Sequence, residues 1–122
     1  MATREEKLNS RDLTFSGWIR KNLPDSNTGF MVTDIDFVLF NYKTKKIMIV
    51  EIKCRMAEVK TWQKKFYRLL LKWLTKGMDK EWTFSGIHLI QFEKTFFTDG
   101  KCYLDRKEIS EKDLVLFLSM TK

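Results

Sequence analysis

Four ionisable side chains stand where apolar ones belong. Asp34 and Asp36 lie at the start of the run Thr33-Asp34-Ile35-Asp36-Phe37-Val38-Leu39-Phe40, and Glu51 and Lys53 end the run Lys46-Ile47-Met48-Ile49-Val50-Glu51-Ile52-Lys53. Acidic residues are depleted in strands and are rarely buried without a partner. Carboxylates beside an ammonium on an otherwise apolar sheet make an oxygen-ligand site for a hard divalent cation. Magnesium needs only one or two carboxylates, with water and phosphate oxygens completing its shell, so Asp36 and Glu51 suffice. The main-chain carbonyl of Ile52 can add a ligand. Lys53 lies two residues from Glu51 on the same strand face and reaches the same water or phosphate. These are the parts that phosphodiester hydrolysis needs: a cation site, a group that orients water and offsets developing charge, and a basic surface for the polyanion.

The elements that must position these residues are legible around them. Both runs are rich in β-branched and aromatic residues and are separated by Asn41-Tyr42-Lys43-Thr44-Lys45, which predicts an antiparallel hairpin with strands near 30–41 and 46–54. A turn centred on Lys43 and Thr44 sets Asp36 opposite Glu51, with Asp34, Asp36, Glu51 and Lys53 on one face. Ile47-Met48-Ile49-Val50 shows no polar alternation, the pattern of a strand covered on both faces. That favours a metal site at this Glu-x-Lys over the plainer alternative, which stays open, an ion-pair cluster on a solvated hairpin end.

From Met56 to about Lys76 the period changes to 3.6, with Val59, Trp62, Phe66, Leu69, Leu70 and Trp73 forming an apolar stripe and Gly77 a C-cap. Lys60, Lys64, Arg68, Lys72 and Lys76 recur every fourth residue on the other side. Lys72 and Lys76 read as an ordinary solvated face, whereas Lys60, Lys64 and Arg68 are candidates for holding phosphates. Before the hairpin, Ser10 can cap a helix over Arg11–Lys21, with Leu13, Ile19 and Leu23, or Phe15 and Trp18, as its apolar side; Pro24 stops it. After the basic helix come a buried strand over Trp82–Phe92, a turn at Thr98–Lys101 and a short strand at Cys102–Leu104. A capping box of the Ser110-Glu111-Lys112-Asp113 type opens a last helix. The order α, β-hairpin, α, β, β, α predicts one domain over 1–122, an α/β (α+β) layer of helices on a mixed sheet.

A net charge of +7 and a pI near 9.5 point to a polyanionic partner, nucleic acid first. Two cysteines are too few for a disulfide framework, and Cys54 alternates away from the Lys53 face. No secretory signal, bilayer-length apolar run or Gly-rich phosphate loop occurs, so the expectation is an intracellular, cytoplasmic protein with no membrane and no nucleotide cofactor. His88, the sole histidine, reads as a satisfied structural residue. The tryptophans read as core.

Asp36, followed across a hairpin by Glu51-Ile52-Lys53, resembles the Asp…(Asp/Glu)-x-Lys signature of the PD-(D/E)XK nuclease superfamily. That superfamily takes in restriction endonucleases, archaeal Holliday junction resolvases and RecB-like exonuclease domains. Gln63-Lys64-Lys65-Phe66-Tyr67 resembles the Gln-x-x-x-Tyr motif of the RecB-like branch. The resemblance covers roughly residues 5–92. It implies a restriction-endonuclease-like core, a central mixed sheet flanked by helices, and a Mg2+- or Mn2+-dependent deoxyribonuclease. Asp36 and Glu51 would hold the metal, Lys53 would act on the water, and Gln63 and Tyr67 would support the site. Members often carry another acid on the first helix, for which Glu5, Glu6 or Asp12 qualify, Glu6 being the choice.

The chain departs from the family pattern in several places. Ile35 and Thr33 stand where the motif proline would precede Asp36 or Asp34, and Asp34 competes with Asp36 for the ligand role. Gln63 follows Lys53 by only 10 residues. There is room for little more than one strand between Pro24 and Asp36, and the iron–sulfur cysteines of some RecB-like nucleases are absent. DNA is the expected substrate, a homodimer suits cutting of both strands, and a viral or mobile-element origin suits so compact an enzyme. Alternatives are a Holliday junction resolvase and a non-catalytic nucleic-acid-binding module.

Overall fold

The computed structural model describes residues 14–122. The Ser10 cap and the acids Glu5, Glu6 and Asp12 lie outside the described residues. The chain divides into an N-terminal unit ending at Thr33 and a larger unit, Asp34–Lys122. In the first, a helix (α1) is seen over 14–22 and gives way before Pro24, whose ring excludes helical geometry in the residue before it. A 3-10 turn at Ser26–Thr28 closes on Gly29 at φ 94°.

The larger unit is a five-stranded mixed sheet: β1 (Phe37–Asn41), β2 (Lys46–Lys53), β3 (Thr83–Phe92), β4 (Cys102–Leu104) and β5 (Lys107–Glu108), in that spatial order. β2 and β3 are parallel and joined through α2 (Thr61–Gly77), whereas the other neighbours are antiparallel. α3 (Glu111–Ser119) follows β5. The molecule is thus a mixed α/β fold with, among the described residues, three helices. Among those residues no helix is long and apolar enough to cross a membrane.

The hairpin pairs Phe37 with Val50 and Asn41 with Lys46, so its turn centres between Lys43 and Thr44. Asn41 Oδ1 accepts from the amides of Lys43 (2.9 Å) and Thr44 (3.2 Å), an Asx turn that fixes this register. β1 starts at Phe37, not near residue 30. The Asp36 carboxylate accepts from the Ile52 amide at 2.8 Å, taking the donor that a ladder continued past Phe37 would use.

One face of the sheet carries the apolar core. Met48 and Val50 of β2, Ile90 and Phe92 of β3 and Cys102 of β4 pack against Leu114 and Met120. Ser110 caps α3, its hydroxyl accepting from the Asp113 amide at 3.1 Å. Strand alternation turns Glu51 and Gln91 to the other face, which α2 covers through Tyr67.

Two expectations for α2 are corrected. It begins at Thr61, not Met56, because Arg55 and Met56 take positive φ (54° and 55°) and their amides bond to Lys94 and Phe92 carbonyls instead. Its buried residues are Gln63 and Tyr67, while Trp62, Leu69 and Trp73 of the apolar stripe are exposed. The reason lies beneath it: the sheet face offers a buried carboxylate and a buried amide, and α2 rotates its polar side chains towards them.

A further irregularity escapes the sequence analysis. Between the pairs Ile47–Phe84 and Ile49–Ile87, β3 carries one extra residue, with Gly86 at φ 98°. This is a bulge built on a glycine, and a Cβ there would meet His88 Nε2 at 3.1 Å.

Candidate active site

Glu51 sits in β2 between β1 and β3 and is 5% exposed. A carboxylate buried to this degree costs several kcal/mol unless donors meet it, on the order of 1–3 kcal/mol for each one left unmet. Tyr67 meets it from α2, its hydroxyl donating to Glu51 Oε2 at 2.5 Å. Gln63, one turn earlier, donates from Nε2 to the Tyr67 oxygen at a long 3.4 Å. Lys53 Nζ stands 3.7 Å from the other carboxylate oxygen, Oε1.

Asp36 acts on Glu51 across the hairpin, one pair beyond Phe37–Val50. Burial pushes the Glu51 carboxyl above its ordinary range, and the Asp36 charge pushes it further; the Tyr67 hydrogen bond and Lys53 oppose both. Tyr67 is raised as well, by burial first and then by donating to Glu51, so it keeps its proton and remains a donor. Glu51 therefore has one phenol, one amine and the charge of a second carboxylate acting on it.

The predicted residues do not all open onto one space. Glu51, Tyr67, Lys64 and Arg68 line a cavity of about 340 Å³ between α2 and the sheet. Asp36 and Ile52 line a second one, of about 640 Å³, on the side of α3. The two carboxylates are neighbours at the sheet margin but look into different cavities. Lys60 is the exposed N-cap residue of α2, and Asp34 is exposed ahead of β1. Ile52 serves Asp36 through its amide, while its side chain packs on the core.

Three residues of the neighbourhood were missed. Gln91, opposite Lys53 in register, is 1% exposed and donates to the Ala57 carbonyl (3.0 Å) and Glu58 (3.2 Å). Arg106, from the β4–β5 turn, grips Glu58 with both terminal nitrogens. A glutamine inside the apolar run Ile87–Phe92 was the one available signal; nothing in sequence spacing links Glu58 to Arg106. His88, read as structural, bonds through Nδ1 to Asp105 and through Nε2 to the Ser85 carbonyl, both at 2.6 Å.

Asp36 and Glu51 are the carboxylates that could hold a magnesium- or manganese-sized cation. Among the described residues no group of three or more His, Cys, Asp or Glu side chains gathers at one point. The donors the chain could offer a cation here are two carboxylates, Asp36 and Glu51, and backbone oxygen, as sparse a set as magnesium accepts. Gln91 Oε1 is buried without a hydrogen-bond partner on the Glu51 face, an acceptor that water or a cation satisfies. Zinc does not fit, since the sole histidine is engaged elsewhere.

No protein-family model and no solved structure matches the chain. It is similar to a protein of Archaeoglobus fulgidus described as uncharacterized, with 30% identity over 92 residues, 72% of this chain. The aligned part spans 63% of that relative's length, just under two thirds of it.

Proposed function

We propose that this protein is a divalent-metal-dependent nuclease that hydrolyses phosphodiester bonds in DNA, on a restriction-endonuclease-like core. One observation carries the proposal: a buried glutamate, flanked across the hairpin by an aspartate and along its own strand by a lysine, under a helix with basic residues. A scaffold gains nothing from burying a carboxylate next to another one; a cation site does.

Asp36 and Glu51 would hold the metal, with the Ile52 carbonyl as a further oxygen. When bound, it would polarise the scissile phosphate and lower the pKa of the attacking water. Lys53 orients that water and offsets charge developing on the phosphate. Tyr67 fixes the Glu51 carboxylate by its short hydrogen bond, and Gln63 supports Tyr67. Lys64 and Arg68, on the cavity wall, hold backbone phosphates, with Lys60 at the start of the same helix.

The test is cleavage of linear, nicked and four-way-junction DNA by the wild type and Lys53→Ala, with and without Mg2+ or Mn2+. Cleavage by the wild type should require the ion and fall by roughly 10²- to 10⁴-fold in the variant. Equal activity in both removes Lys53 from the mechanism. Paired nicks on the junction against progressive loss from ends separates a resolvase from an exonuclease.

A further inference from the structure

The cavity beside Glu51 has a cationic wall that comes only in part from α2. Lys64 and Arg68 line it from the helix, and Arg106 lines it from the two-residue turn between β4 and β5. That turn places Asp105 at φ 48° and Arg106 at φ 74°, the conformation Asn-Gly adopts with little strain and other residues adopt against steric resistance. Strain of this kind persists where the surroundings hold it, and here they do. The Asp105 amide donates to the Leu89 carbonyl, and Asp105 Oδ1 accepts from the Leu89 amide, both at 2.8 Å. Asp105 Oδ2 meets His88 Nδ1 at 2.6 Å. The anchored turn sends the Arg106 side chain to Glu58, on the segment leading into α2.

Arg106 donates to both oxygens of Glu58, at 2.7 and 2.5 Å. Gln91 Nε2 adds a third donor at 3.2 Å, and the charge of Lys64 bears on the same carboxylate. A planar anion held by a guanidinium fork, with a neutral donor and a second cation nearby, is the arrangement in which proteins receive a phosphate. The pair is half exposed, 56% for Arg106 and 50% for Glu58, so water screens it and a stronger anion can displace the carboxylate.

We propose that Arg106 grips a backbone phosphate of the bound nucleic acid, and that Glu58 occupies that position until the phosphate replaces it. This rests on the nucleic-acid reading above and extends it to a residue outside the basic helix. The test is fluorescence anisotropy of a labelled DNA duplex with the intact protein, in chelator and across a range of salt. Arg106→Ala should weaken binding several-fold and lower the salt slope by about 1. Glu58→Gln, which releases Arg106, should tighten binding. Opposite signs are the signature of a displaceable anion. If both substitutions weaken binding alike, or if Arg106→Ala changes nothing, Arg106 is a structural brace and the inference is overturned. Thermal melts establish that each variant folds, and should Arg106→Ala fail to fold, the sign of the Glu58→Gln effect decides. A wild type that binds no duplex ends the nucleic-acid reading itself, an outcome distinct from loss confined to the variants.

Discussion

Single side chains carry most of the proposed chemistry, and their energetics are open to direct test. Tyr67 stands between the helix and Glu51, and Tyr67→Phe keeps its volume while removing the donor. Leaving the buried Glu51 oxygen unmet should cost about 1–3 kcal/mol, seen as a lower urea midpoint at neutral pH. An unchanged midpoint would show that water takes over the bond. Away from the site, Asp99 organises the 95–99 turn, accepting from the Thr95 hydroxyl and from the amides of Thr95 and Phe96. The Thr95 hydroxyl, then those two amides, hold the Asp99 carboxyl at about 2, below its ordinary 3.8. Because the folded value lies below the unfolded one, the stabilisation is full above about pH 4 and fades as pH falls towards 2. The melting-temperature gap between the wild type and Asp99→Ala should therefore be constant near neutrality and close in acid. A gap that persists in acid assigns the effect to packing instead.

At the scale of elements, the strands were more legible than the helix surface. Runs of β-branched and aromatic residues and the turn residues located β2, β3, β4 and the hairpin register because those signals are local to each segment. The rotation of α2 was not legible. Its apolar stripe predicts Trp62, Leu69 and Trp73 inside, but what the helix covers is a sheet face bearing Glu51 and Gln91, and that face exists only after folding. The β5 strand is two residues long, too short for any period. Nor was the Gly86 bulge read, since an isolated glycine in a strand permits either a bulge or mere tolerance. These differences predict opposite responses. Gly86→Ala combines a strained φ with a 3.1 Å approach to His88 and should destabilise by about 1–3 kcal/mol. Trp73→Lys, at a position 55% exposed, should stay within about 0.5 kcal/mol. Thermal or urea unfolding of the two variants side by side checks the pair; a large loss in Trp73→Lys would place that ring in an interface.

For the molecule as a whole, the sequence made the carboxylate-and-lysine constellation visible because its members lie in β2 and just ahead of the neighbouring β1. Asp36, Glu51 and Lys53 needed only a hairpin register to be brought together. Tyr67 needed a helix to be laid across the sheet, and spacing suggested it. Arg106 and Glu58 needed the full tertiary arrangement, and no local pattern foretold them. The net charge of +7 would supply the attraction for a polyanion but not the proposed chemistry, which rests on Glu51. The decisive measurement is single-turnover DNA cleavage in Mg2+ by the wild type and Glu51→Gln, a change that keeps size while removing the buried negative charge. Ion-dependent cleavage by the wild type and a loss of at least about 10²-fold in the variant are expected. Cleavage by Glu51→Gln at the wild-type rate would contradict it.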